Sequence, residues 1–245
     1  MLSIKNYVRA QSLDEAYTLC QKKSSAVLGG MLWLKMQRGG VDTAIDLSDL
    51  GLDKIEETES EYRLGAMVTL RELEKHPGLD ALTQGAVAES VRHIVGVQFR
   101  NLATVGGSVF GRFGFSDVLT MLLSLEARVA LHGAGIMSLE DFAASGIRRD
   151  ILTHVIIPKT PRKCVYLSQR NISTDFPVLT CALSRSDGGV LCAVGARPGR
   201  AVCLRGDVAK LADGLVFGSN TRASADYRRE ICRVLIKRGL ERLEG

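Results

Sequence analysis

The sequence predicts a fold of mixed helices and strands. Thr69 is followed three positions later by Glu72, the pattern of a capping box that begins a helix. Residues 151–157 form a β-branched run that ends at Pro158, which indicates a strand. Asp187, Gly188 and Gly189 separate two apolar runs and are typical of a β-hairpin turn. Both kinds of element therefore belong to this chain.

The remaining helices and strands are predicted from the spacing of apolar residues. Apolar residues three and four positions apart predict helices, and short apolar runs between turn residues predict strands. Ser12, Asp117, Ser138 and Ser224 are candidate N-caps, and the residues after His76 end the helix that begins at Thr69. The predicted helices span 12–23, 31–36, 70–75, 79–94, 118–125, 138–142 and 222–243. The predicted strands span 26–28, 42–48, 53–58, 61–66, 127–131, 151–157, 177–185, 190–196 and 201–205.

Residues 98–117 hold the densest group of glycines near the middle of the chain: Gly106, Gly107, Gly111 and Gly114. Thr104 and Ser108 flank the first pair. A glycine-rich turn with hydroxyl neighbours presents backbone N–H groups to phosphate oxygens. A second glycine pair, at 29–30, follows a short apolar run. The two turns predict one diphosphate held from two sides, although a plain structural turn remains an alternative for each.

Other candidate residues carry weaker signals. Asp117 is either a ligand for a ribose or ribitol hydroxyl or only the cap of the helix after it. The four histidines are far apart in the chain and pair with no nucleophile in the sequence. The glycine spacing matches neither GxGxxG nor GxxxxGK[ST]. Because no catalytic side chain is predicted, any activity must come from a bound cofactor.

Composition excludes several classes of protein. The net charge of +5 comes from scattered lysines and arginines, and the pair Arg148–Arg149 is predicted to be solvated surface, so no nucleic-acid partner is expected. None of the six cysteines lies in a CxxC pattern, so no metal site is expected on this chain. No segment is apolar enough to predict a membrane span. Free thiols and the lack of a signal peptide favour a cytoplasmic location.

Several motifs together resemble one family. VLGGMLWL at 27–34 is similar to that family's AGG[TH]xL turn, and HIVGVQFRNLATVGGSV at 93–109 resembles its HIGxxQIRNxGTIGGNL. RASADYRREICRVLIKRGL at 222–240 resembles its C-terminal SADYRRxLAxVLxRRAL. On these motifs the chain is similar, over essentially its whole length, to the FAD-binding medium subunit of molybdenum hydroxylases, such as xanthine dehydrogenase and carbon monoxide dehydrogenase.

The resemblance implies an α+β protein with the vanillyl-alcohol-oxidase-like FAD-binding fold. It implies an FAD-binding domain at 1–158, with subdomains of about 1–50 and 51–158, and a shortened C-terminal domain at 159–245.

The resemblance also implies the residues that contact FAD. Two backbone segments would hold the pyrophosphate, and four side chains would contact FAD, three of them beside the isoalloxazine ring. The segments are Val27, Leu28, Gly29, Gly30, Met31, Leu32 and Trp33, and Thr104, Val105, Gly106, Gly107 and Ser108. The further residues are Asp117, which would contact FAD, and Ile94, Leu152 and Leu167, which would lie at the flavin.

The function implied is electron transfer. Substrate would be oxidised at a molybdenum cofactor on a separate large subunit, and electrons would pass through [2Fe–2S] clusters on a small subunit to FAD on this chain, then to NAD⁺ or another acceptor. Two alternatives stay open. One is a non-catalytic scaffold with weak or no FAD binding, and the other is a stand-alone FAD oxidase of the same fold.

The chain departs from the family pattern at four places. Met31 and Leu32 replace a hydrogen-bonding residue and its small or polar neighbour, and Leu167 replaces a lysine that some relatives have near the flavin. Arg112 and Phe113 add bulk at the expected mouth of the site. The C-terminal domain lacks most of a helical stretch around residues 212–220. Leu167 places the flavin's reduction potential in question. Met31, Leu32 and the shortened C-terminal domain motivate the scaffold alternative.

Overall fold

The computed structural model describes residues 2–245 as ten α-helices and twelve β-strands, joined by loops and two short 3₁₀ turns. The helices are α1 Leu13–Cys20, α2 Leu70–Lys75, α3 Pro77–Thr83, α4 Ala86–Arg92, α5 Val97–Arg100, α6 Val105–Phe110, α7 Asp117–Ser124, α8 Leu139–Ala144, α9 Val208–Ala212 and α10 Ala225–Glu244. The strands are β1 Leu2–Arg9, β2 Ser25–Leu28, β3 Gly39–Asp46, β4 Ile55–Glu57, β5 Glu61–Gly65, β6 Arg128–Leu131, β7 Gly135–Ser138, β8 Leu152–Pro158, β9 Lys163–Gln169, β10 Leu179–Ser186, β11 Gly189–Gly195 and β12 Val202–Arg205.

The strands form three sheets. A three-stranded parallel sheet has the order β1-β3-β2. A five-stranded antiparallel sheet has the order β4-β5-β8-β6-β7, and a four-stranded antiparallel sheet has the order β12-β11-β10-β9. The parallel sheet matters most for the site, because β2 ends at Leu28, directly before the first glycine pair.

The residues that the structure describes form four hydrophobic clusters, and the two largest are the cores of the antiparallel sheets. The smaller core lies between the four-stranded sheet and α10, where a Cβ on Gly239 would lie 2.4 Å from Leu183. The larger core packs α2 to α7 against the five-stranded sheet and also includes Tyr166 and Ala182. Buried contacts therefore cross residue 158, and the predicted division into domains stays a prediction.

Several local predictions are confirmed. The Thr69 hydroxyl and the Glu72 carboxylate form both halves of the capping box at α2. Ser138 caps α8 and Ser224 caps α10. Ser186 pairs with Gly189 across the predicted hairpin turn.

The predicted helix at 79–94 is wrong in one respect, because two helices occupy that segment. Gln84 and Gly85 adopt left-handed φ values of 52° and 82°, which end α3 and begin α4. The apolar spacing continues across the break because both helices bury one face in the same core. The predicted helix at 31–36 is likewise reduced to a 3₁₀ turn at Leu34–Met36.

Strand β1 was not predicted. Most of its side chains are exposed, so the sequence of residues 2–9 shows no clear apolar alternation. The strand is held instead by parallel pairing with β3, from Leu2 opposite Gly39 to Arg9 opposite Asp46.

Candidate functional site

The two glycine turns lie against each other. A Cβ on Gly29 would lie 2.7 Å from Thr104 Oγ1 and 3.8 Å from the Cα of Gly107. A Cβ on Gly30 would lie only 1.8 Å from the Leu102 carbonyl oxygen. At Gly30 the backbones therefore approach more closely than any side chain permits, and at Gly29 a Cβ would collide with the Thr104 hydroxyl, which explains why glycine stands at both positions.

The second turn uses its own N–H groups within the protein. Val105 donates to the Val68 carbonyl and Gly106 to the Ala66 carbonyl, both at 2.8 Å. Gly107 N–H donates to Thr104 Oγ1 at 3.1 Å, which caps α6. Within residues 2–245 the Thr104 hydroxyl accepts this bond and donates none, so its hydrogen is available to a ligand.

The backbone N–H groups of the first turn, in contrast, have no partner within the described protein. Among residues 2–245, the five backbone N–H groups from Gly29 to Trp33 donate to no protein acceptor. The residues are half-buried and follow the carboxyl end of β2. Met31 has a left-handed φ of 58°, an uncommon conformation for a side-chain-bearing residue. Consecutive N–H groups around such a residue form a concave binding site for an anion.

Two cavities meet at these turns. The first cavity has a volume of about 290 Å³ and the second about 440 Å³. Four residues line both of them: Val27, Gly29, Thr104 and Gly107. The two cavities therefore share a junction at the glycine turns.

The first cavity has an aromatic wall. Phe176, on the loop between β9 and β10, lies with its ring centroid 5.3 Å from Trp33 and 4.4 Å from Phe115. Phe99 meets Trp33 edge-on at 5.8 Å. Offset and edge-on pairs of this kind are favourable packing for aromatic rings. The wall gives this cavity a mainly apolar surface.

Asp117 does not cap α7, so that interpretation of the sequence is wrong. Ser116 is the N-cap, because its hydroxyl accepts from Leu119 N–H. Asp117 is buried and forms an ion pair with Arg170, and the Tyr166 hydroxyl donates to it at 2.5 Å. Burial raises the pKa of Asp117 to about 6, against the lowering effects of Arg170 and Tyr166.

The second cavity has a different chemistry. Lys23, Arg148 and Arg149 line it, together with Ser25 and Leu152. The buried Asp150 carboxylate nearby accepts from the N–H groups of Gly133, Ala134 and Ile151 at 2.7–2.9 Å. These three N–H groups stabilise the negative charge of Asp150. The two cavities therefore differ: one is aromatic and the other is basic.

Of the sixteen predicted site residues, fourteen line at least one cavity. Val105 is fully buried in the larger core, and Leu167 lies on β9 against the smaller core, so these two line neither. Ile94 lines the first cavity and Leu152 lines the second. The contacts with FAD stay a prediction.

Sequence reasoning missed several residues of the two cavities. Phe115, Phe176 and Arg170 reach the first cavity only through loop geometry. Arg148 and Arg149, predicted as plain surface, line the second cavity. Phe113 lies at the first cavity as expected, but Arg112 turns away and donates to the carbonyl of Ser145 at 2.9 Å.

A family model and several known proteins match this chain. The model of the family described as the FAD binding domain in molybdopterin dehydrogenase matches residues 2–160. The chain is 26% identical over 249 residues to the uncharacterized protein YgfM of Escherichia coli strain K12, covering 95% of this chain and 94% of that protein. It is also 26% identical over 268 residues to the nicotine 6-hydroxylase medium subunit of Paenarthrobacter nicotinovorans, with coverage of 95% and 94%.

A solved structure has the same fold. A chain of the reconstituted CO dehydrogenase from Oligotropha carboxidovorans superposes with a TM-score of 0.87 at 22% identity, covering 97% of this chain and 96% of that one. This confirms the prediction of a mixed helix and sheet fold. In the part of the chain that the structure describes, no helix has the length and apolar character of a membrane span.

Proposed function

The chain belongs to the family of FAD-binding domains of molybdopterin dehydrogenases, and on that premise we propose that it is the FAD-carrying electron-transfer subunit of a multi-subunit molybdenum hydroxylase. A large subunit would hold the molybdenum cofactor and a small subunit the [2Fe–2S] clusters. Electrons from these clusters would pass to FAD on this chain and then to NAD⁺ or another acceptor.

One observation carries the proposal. The unpaired N–H groups of Gly29–Trp33 lie beside the free Thr104 hydroxyl, at the junction of two cavities. These donors suit the pyrophosphate of FAD. They belong mostly to the backbone, so the replacement of a polar side chain by Met31 or Leu32 leaves them in place.

The chemistry of each cavity suggests which end of FAD it holds. The aromatic wall of Trp33, Phe115 and Phe176 offers stacking surface to adenine. Lys23 and Arg148 in the second cavity would stabilise negative charge on the isoalloxazine ring, with Leu152 beside it. In this arrangement Ile94 lies at the adenine end. FAD supplies the two-electron chemistry, and the chain supplies position, electrostatics and exclusion of water.

Trp33 provides a direct test, because it is the one tryptophan of the sequence and lines the first cavity. We expect that FAD added to FAD-free protein quenches Trp33 emission to saturation at one FAD per chain. FMN, which lacks the adenylate half, is expected to bind more weakly. A protein that folds but takes up no FAD would overturn the proposal.

A glycine variant tests the junction itself. In Gly107→Ala the new methyl group would lie 3.1 Å from Thr104 Oγ1, at a residue that lines both cavities. We expect FAD affinity to fall at least tenfold while the protein stays folded. The matched control is Gly40→Ala in β3, where the nearest atom is Ser3 Oγ at 3.6 Å, and FAD affinity there is expected to be unchanged.

The scaffold alternative makes the opposite prediction for the same titration. It rests on the departures at Met31 and Leu32 and on the shortened C-terminal domain. Under it, both the FAD-free protein and the protein refolded with FAD would bind flavin only weakly or not at all.

A further inference from the structure

Arg112 joins two segments of the second cavity's wall without lining the cavity itself. It stands in the loop between α6 and α7, directly after Phe110 and Gly111, which line the cavity. Its guanidinium reaches the loop between α8 and β8, 33 positions later in the chain. That second loop carries Arg148 and Arg149, which also line the cavity. One side chain therefore connects two parts of the wall that are distant in sequence.

The Arg112 guanidinium forms several hydrogen bonds with this one loop. Nη1 donates to the carbonyl oxygens of Ser145 at 2.9 Å and Phe142 at 3.3 Å, and Nη2 donates to the carbonyl of Ile147. The guanidinium carbon also lies 4.8 Å from the centre of the Phe142 ring, which is a cation–π contact. The planar guanidinium has five N–H donors in a fixed geometry, so a single arginine can bind three carbonyl groups.

These contacts fix the end of α8 and the residues that follow it. Phe142 lies in the last turn of the helix and Ser145 is its C-cap, and a cation there satisfies carbonyl groups that the helix leaves unpaired. Gly146 faces open space, since a Cβ added there would meet no atom of the described chain within 4 Å. The carbonyls on both sides of Gly146 accept from Arg112. Arg112 therefore holds the backbone that leads to Arg148.

Arg112 makes these contacts from an unfavourable position. Its φ of 47° is left-handed, which is strained for a residue with a side chain. Burial lowers the pKa of Arg112, and the nearby positive charge of Arg148 lowers it further. Because like charges repel, the Arg112 guanidinium favours positions of the Arg148 side chain that lie away from it. Arg148 lines the cavity and Arg112 does not, as this repulsion requires.

We propose that Arg112 is a positioning residue for FAD, which holds the loop at 145–149 in the conformation that binds the cofactor. The inference rests on the proposed function, because it assumes that FAD occupies the second cavity. Arg112 itself lines neither cavity, so it acts through the loop. A loop that is ordered before binding adds no ordering cost to the free energy of binding. Without the guanidinium, FAD has to order the loop itself, and its affinity falls.

Trypsin measures the order of the loop in the full chain without FAD. We expect trypsin to cleave Arg112→Gly after Arg148 or Arg149 at least tenfold faster than wild type, because cleavage requires local opening of the loop. Mass spectrometry of the peptides identifies the bonds that are cut. Glycine is the chosen substitution because it removes the guanidinium and also relieves the left-handed φ at position 112.

Titration of the same FAD-free proteins with FAD, followed by Trp33 emission, measures the effect on the cofactor. We expect Arg112→Gly to weaken FAD binding at least tenfold, and Arg112→Lys to weaken it less, because an ammonium group keeps the charge but not the planar set of donors. The matched control is Arg200→Ala. Arg200 Nη1 donates to the Ala144 carbonyl at 3.0 Å, at the same helix end, and Arg200 lines neither cavity. This control is expected to change neither the cleavage rate nor the FAD affinity.

Each other outcome overturns a specific statement. Unchanged cleavage in Arg112→Gly would show that Arg112 does not hold the loop, which refutes the proposal. Faster cleavage with wild-type FAD affinity would show a purely structural contact and refutes it as well. A wild type that takes up no FAD refutes the proposed function, while the cleavage rates still report on the loop. If circular dichroism shows that Arg112→Gly does not fold, Arg112→Lys takes its place, and wild-type cleavage or wild-type FAD affinity in that variant refutes the proposal.

Discussion

The Tyr166 hydroxyl donates a hydrogen bond of 2.5 Å to Asp117 Oδ1, and the two residues are 49 positions apart in the chain. Both side chains are buried, and Arg170 forms an ion pair with the same carboxylate. The contact ties the start of α7, at the first cavity, to strand β9. Asp117 is thus part of the tertiary structure of the site and not a local helix cap.

The free energy of unfolding should depend on pH through the ionisation of Asp117. Burial raises the pKa of this carboxyl from 3.8 to about 6, so the folded state binds the proton more tightly than the unfolded chain. Its stabilising contribution is complete below the unfolded pKa and is lost as the pH rises through 6. Relative to Asp117→Asn, which cannot titrate there, the wild-type free energy of unfolding should fall by up to about 3 kcal/mol between pH 4 and pH 7. Urea denaturation followed by Trp33 emission measures this difference, and a flat or rising difference would contradict the prediction.

The two glycine turns should differ in their tolerance of a methyl group. A Cβ at Gly30 would lie 1.8 Å from a backbone oxygen that cannot move independently. We expect Gly30→Ala to lower the free energy of unfolding by about 3 kcal/mol or more. Gly107→Ala, whose nearest atom is at 3.1 Å and which lies inside a helix, should stay within about 1 kcal/mol of wild type. Urea denaturation of both variants without FAD measures the two changes in the free energy of unfolding. Equal decreases in the two variants would show that the close contact at Gly30 does not determine stability.

Arg162 should be replaceable by an apolar residue. Its side chain is 1% exposed, and both Nη atoms have no hydrogen-bond partner, with Glu126 3.7 Å away. Burial of a poorly paired charge costs more than the pair returns. We expect Arg162→Met to raise the free energy of unfolding by about 1–3 kcal/mol. Arg128→Met serves as the control, because it breaks a half-exposed pair with Glu61 and should cost no more than about 1 kcal/mol. A destabilised Arg162→Met would show that the guanidinium is better paired than its contacts indicate.

A glycine at position 84, in the break between α3 and α4, should stabilise the protein. Gln84 has a φ of 52°, which is strained for a residue with a side chain. We expect Gln84→Gly to raise the free energy of unfolding by about 0.5–1 kcal/mol, while Gln84→Ala gives no gain, because alanine keeps the Cβ that causes the strain. Thermal unfolding of both variants measures the effect. Equal stability of the two would show that the side chain, and not φ, sets the energy at this position.

Much of the fold was predictable because the signals are local. Thr69 with Glu72 and the turn at Asp187–Gly188 need only three or four neighbouring residues to form. One prediction failed at Gln84, because the helical spacing of apolar residues continues across two separate helices. Strand β1 was missed because its exposed side chains show no apolar alternation. The position of Leu167 away from both cavities also lay beyond any local pattern.

By itself, the sequence determined where the chain turns tightly, which segments begin as helices, and that two glycine pairs suit a diphosphate. Only the tertiary structure decided that Gly29 lies against Thr104, that Asp117 is shared by Tyr166 and Arg170, and that Lys23 and Arg148 line one cavity. The reason is physical. Capping and turn geometry depend on residues adjacent in sequence, whereas burial, ion pairing and cavity shape depend on residues that come together only when the sheets and cores pack.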